Sequence, residues 1–243
     1  QRLPHRPPPN RATPPHTTRP AFAVRLFVAQ LFYSRPFTAT GNLLLQSEQA
    51  EGKTPLLSAA RQGYAAAVRR LISAGADVNA GNAGGATALM FAALSGDPLV
   101  TSLLVGAGAR TDAKAKLGWT ALALAAVKGY TEVAEVLLDA GADQGVRDAY
   151  GWTPLMRAVD RRRTDFVRLL LESPGADLAV RQEDGATALH IAAATGDPEI
   201  VGLLINHGAD RTAVNHNGDT AAEIARSAGF AELAAYLEAS DAD

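Results

Sequence analysis

Cysteine is absent from this chain, which excludes disulfides, thiolate metal sites and a cysteine nucleophile. The absence leaves a cytoplasmic and an exported location equally open. Aromatic residues are scarce, at 6%, against 47% apolar residues rich in alanine. Short, closely packed alanine-rich helices have such a composition. No apolar run outside the patterned part of the chain reaches the about 20 residues that cross a bilayer as a helix. Residues 1–36 contain no acid and six Arg, whereas the remainder carries 17 basic and 25 acidic side chains, a net charge of −8. That balance argues against a nucleic-acid backbone as the main partner. Methionine is also rare, and the first is Met90; we expect the sequence to be processed, truncated or a fragment.

What the chain does have is a period. Thr54, Thr87, Thr120, Thr153, Thr187 and Thr220 follow one another at steps of 33, 33, 33, 34 and 33 residues. Each opens a variant of one phrase, as in Thr54-Pro55-Leu56-Leu57-Ser58-Ala59-Ala60 and Thr187-Ala188-Leu189-His190-Ile191-Ala192-Ala193. A fixed period of this length marks an array of one supersecondary unit. The hydroxyl of each Thr suits a helix N-cap, and Pro55 and Pro154 suit the first helical position. Nine residues after the Thr stand Gly63, Gly96, Gly129, Gly196 and Gly229, placed to end a short first helix in a left-handed turn. A second helix follows, with apolar runs such as Leu103-Leu104-Val105 and Leu203-Leu204-Ile205. Gly-Ala-Asp closes it at Gly75, Gly141, Gly175 and Gly208.

The Thr-Pro-Leu phrase at Thr54, the Thr-Ala-Leu-His phrase at Thr187, the Gly-Ala-Asp landmarks and the period together resemble the ankyrin-repeat family. The resemblance covers residues 52–243 and six units in register. It implies an all-α ankyrin-repeat solenoid of stacked helix-turn-helix units joined by β-hairpin-like loops. Polar residues at the two ends, Arg70 in an otherwise apolar slot and Glu223 and Glu238 in the last unit, read as capping faces. Residues 1–20, Pro- and Arg-rich, are expected to be a disordered tail, with a polyproline ligand as the alternative. Residues 21–51 form an apolar, targeting-like segment and linker. Its run Ala21–Tyr33 is open to three readings: an export signal, an upstream segment without function, or a packing or membrane-surface helix.

In the family the variable hairpin tips and the flank of the first helix carry recognition. The resemblance therefore implies a binding surface built on Lys116, Leu117, Trp119, Val127, Lys128, Tyr150, Trp152, Asp160 and Arg161. Trp119 and Trp152, the only tryptophans, stand at one equivalent position and are expected side by side, as hot-spot anchors or as packing between hairpins. Arg162 replaces the turn Gly of the other repeats, within Arg161-Arg162-Arg163. That run is either a solvated turn or a basic ridge for an acidic partner.

Catalytic chemistry is not evident. His190, His207 and His216 occupy different places in their repeats, and no phosphate loop or Gly-x-Ser-x-Gly elbow occurs. Asn79 has the form of a site hydroxylated in some ankyrin proteins, but a structural Asn in the loop is the expected reading. The expected protein is a non-enzymatic, monomeric binding module for another protein, with no cofactor, metal, nucleic acid or small-molecule substrate. The alternatives are a regulatory or targeting domain of a larger enzyme or channel, and an exported bacterial-type ankyrin protein.

Overall fold

The threonines start the first helices. The computed structural model describes residues 54–239; the expectations for residues 1–20 and 21–51 lie outside it. Thr54, Thr120, Thr153 and Thr220 each accept the amide of the third helical residue on their hydroxyl. The first helices are α1 (Pro55–Arg61), α3 (Ala88–Ser95), α5 (Ala121–Lys128), α7 (Pro154–Asp160), α9 (Ala188–Thr195) and α11 (Ala221–Ala228). Each is followed by a second helix: α2 (Ala65–Ser73), α4 (Pro98–Gly106), α6 (Thr131–Asp139), α8 (Thr164–Glu172), α10 (Pro198–Asn206) and α12 (Ala231–Glu238). First helices pack on first helices of adjacent repeats, and α2, α4, α6, α8 and α10 form a second row. The result is an all-α solenoid.

One apolar stripe runs through the stack. Leu56, Leu89, Leu122 and Leu189, equivalent residues of the first helices, are all buried. So are Val68, Ala134, Val167 and Val201 of the second helices. Since each repeat buries its face on its neighbours, stability is shared along the array.

Hairpin-like turns join the units. The amides of Asn82, Ala115, Asp148, Gln182 and Asn215 donate to the carbonyls four residues on, at 2.9–3.0 Å. The tips then tie to one another. The amides of Lys116, Ala149, Glu183 and His216 donate to the carbonyls of Gly84, Leu117, Tyr150 and Asp184 of the preceding tip. This backbone ladder fixes the tips as one strip. Asn79 adds a side-chain tie, accepting from the Arg110 amide at 2.8 Å and donating to the Gly108 carbonyl at 3.1 Å.

Repeat four departs from the pattern at both its turns. Arg162 adopts the left-handed conformation of the glycine it replaces, with φ 54°. Its Nε pairs with Asp197 of the following repeat at 3.0 Å, while Arg163 Nε donates to the Val127 carbonyl of the preceding repeat at 3.2 Å. The arginine run thus clips three repeats together. The extra residue near Ser173-Pro174 leaves two carbonyls outside the helix ladder, and Gln144 Nε2 donates to both, at 3.1 and 2.7 Å.

Candidate functional site

Repeats three and four place an arginine between the two tryptophans. Arg157 lies on α7 in a slot that holds Phe91, Leu124, Ile191 and Ile224 in other repeats, all of them buried. Its guanidinium sits 4.7 Å from the Trp119 ring centroid and 4.5 Å from that of Trp152. Each face-on contact contributes about 0.5–2 kcal/mol, more as water is excluded. Asp148 completes the arrangement. Its Oδ2 accepts from Arg157 Nε at 3.1 Å, with Nη2 also paired. Its Oδ1 accepts the amides of Tyr150 and Trp152 at 2.9 and 3.0 Å. A buried charge needs such full satisfaction to be tolerated.

This geometry corrects two members of the expected surface. Trp119 is 2% exposed and Val127 4% exposed, so neither presents its side chain to a partner. Trp119 is buried because Arg157 and its neighbours cover it; Val127 is buried because it lies on the packed side of α5. The tryptophans flank one guanidinium. Arg157 and Asp148 were not among the expected residues. The signal for Arg157 was an arginine in a slot that is apolar in repeats two, three, five and six, with Ser58 in repeat one.

The other expected residues reach solvent to different degrees. Lys116, Leu117, Lys128 and Arg161 are exposed, and Tyr150, Trp152 and Asp160 are partly buried. Asp160 pairs with Arg161 Nε at 3.2 Å. Burial raises its carboxyl above the ordinary carboxylate range, with Arg161 and Arg157 pulling it back. Leu117 is unusual. It is 37% exposed and left-handed, with φ 63°, at a tip where it is the one non-glycine residue of that sign. A left-handed conformation costs an L-residue about 1–2 kcal/mol. Around it Lys114 and Arg147 use their side chains on carbonyls of neighbouring tips.

The histidines serve the scaffold. His190 is buried, and its Nδ1 accepts the Thr187 amide at 3.1 Å while Nε2 meets the Asp219 carbonyl at 3.2 Å. That pairing requires the neutral ring with its proton on Nε2. Burial, foremost, lowers its pKa. His207 engages the Leu203 carbonyl at 2.8 Å, and His216 packs over Gly185. Among the described residues no cluster of three or more His, Asp or Glu could hold a metal. Nor is any described helix long and apolar enough to cross a membrane.

Stacked helical pairs tied by a ladder of hairpin tips define a repeat solenoid that displays a surface. The family profile described as ankyrin repeats (3 copies) matches residues 27–115, 89–182 and 174–243, so the chain belongs to the ankyrin-repeat family. Among solved structures it is similar to the ankyrin repeat domain of Bcl-3, described as a unique member of the IkappaB protein family. The two share 32% sequence identity at a TM-score of 0.71, over 78% of this chain and 88% of that one. No curated protein sequence matches.

Proposed function

We propose that the chain is a non-enzymatic binding module that holds an acidic surface of another protein on its hairpin tips and first-helix flank at repeats three and four. The observation that carries the reading is Leu117. Its exposed apolar side chain sits on a costly backbone conformation, and such strain concentrates where function demands it. Lys116, Leu117, Tyr150 and Trp152 supply the contact, with Lys128 and Arg161 on the adjoining helix ends. The Asp148–Arg157 pair sets the two tips rigidly, which lowers the ordering cost of binding.

Charge supports the same region. Lys114, Lys116, Lys128 and Arg147 belong to these two repeats, where Asp148 is paired with Arg157 and Asp160 with Arg161; the exposed Glu183 and Asp184 stand on the next tip. A local basic patch on an acidic array directs an acidic partner to one place.

Affinity capture from cell extract tests this with the charge-reversed pair Lys116→Glu and Arg161→Glu. We expect the double variant to lose its captured partners at least tenfold while helicity is unchanged. A control reversal on a second helix, Glu135→Lys, is expected to keep them. Equal capture by wild type and the double variant would contradict the assignment.

A further inference from the structure

The two ends of the stack differ. At the far end, Glu223 caps its own helix and Glu238 pairs with Arg226, both exposed. At the near end Arg70 is exposed as expected, but it adjoins an apolar groove of ≈ 520 Å³ lined by Pro55, Ser58, Ala59, Tyr64, Ala67 and Leu71. Leu71 is only partly buried there, whereas its equivalents Leu104, Leu137, Leu170 and Leu204 are 0% exposed. Tyr64 is 61% exposed, against 37% and 38% for its equivalents Tyr130 and Phe230. Those residues, with Asp97 and Arg163, lie over the turn of the preceding repeat at Gly96, Gly196, Gly63 and Gly129. A residue at this place covers the unit before it.

We propose that the groove is filled by residues 27–53 of the same chain, packed against α1 and α2. Three observations select that occupant. Pro55, Ala67 and Leu71 stand at positions that every later repeat buries. The first family match begins at residue 27, ahead of Thr54. Residues 27–53 fall short of one 33-residue period but include Phe27, Leu31, Phe32 and Leu43-Leu44-Leu45, apolar side chains able to cover the groove. A covalently attached segment also has a large effective concentration, about millimolar for a short linker, over a second copy of the chain.

The absence of cysteine makes the test clean. In the full chain, Ser58→Cys introduces the sole thiol, which is labelled with benzophenone maleimide, irradiated and mapped by mass spectrometry. The expected result is a cross-link to a peptide within residues 27–53 of the same chain, with a yield independent of protein concentration. Cross-links between chains that grow with concentration, or none to that segment, would overturn the proposal. A second measurement needs no substitution. In the full wild-type chain, Tyr64 is expected to be nitrated at least fivefold more slowly than Tyr236, although Tyr236 is the less exposed of the two in residues 54–239, at 44%. Equal or faster nitration of Tyr64 would equally overturn it.

Discussion

Individual residues with one role in the repeat differ in what they contribute. Thr120 accepts the Ala123 amide at 3.2 Å, whereas Thr87 Oγ1 is buried without a hydrogen-bond partner. Loss of a cap costs about 1 kcal/mol, and an unpartnered buried hydroxyl is itself a cost of about 1–3 kcal/mol. Thr120→Val is therefore expected to lower the urea midpoint, and Thr87→Val to leave it unchanged or raise it. His190 ties stability to pH. Its folded pKa lies below its ordinary value of 6.5, so the unfolded chain takes up the proton first. Stability is then whole above about pH 6.5 and declines as the pH falls from there toward the lowered folded value. Replacing His190 by Met, the residue at the equivalent positions 90 and 156, is expected to remove this slope in denaturation curves taken from pH 7.5 to 5.

Elements show where substitution has been compensated. α7 carries Arg157 into a core slot, and the preceding tip carries Asp148 where repeat two has Asn82. Removing one member of a buried pair costs about 3–5 kcal/mol, while replacing both by compatible neutral residues is often neutral. Arg157→Ala is expected to destabilise by that amount. The double variant Asp148→Asn with Arg157→Leu, which restores the residue types found in repeats two and three, should recover most of the loss in chemical denaturation. If the double variant is no better than the single one, the pair is not the source of the cost. Arg162 shows a milder compensation, its left-handed turn accompanied by the contact to Asp197.

At the scale of the whole molecule, the period of the threonines and the turn glycines made the solenoid legible because both signals are local. A cap needs a hydroxyl at one position, and a left-handed turn needs one small residue. The structural reading of Asn79 agrees with its tie to the Arg110 amide and the Gly108 carbonyl. The surface was only partly readable. Whether Trp119 faces solvent depends on what the next repeat sets against it, and Arg157 reaches it from 38 residues away. Val127 shares its position class with exposed Lys128, yet one helical step turns it inward. Leu117 carried no local mark, since the equivalent tip residues Tyr150 and Asp184 are not left-handed. The apolar near end was hidden behind Arg70, whose charge read as a cap.

The central claim is that the tip at Leu117 is kept for binding against the interest of the fold. Leu117→Gly relieves the left-handed strain and deletes the side chain, so it should raise stability by about 1 kcal/mol, after the entropy cost of glycine. The most direct measurement is affinity capture by this variant against wild type, on protein whose denaturation midpoint has been determined. The account predicts a higher midpoint together with at least a tenfold loss of captured partner. A higher midpoint with capture undiminished would contradict it.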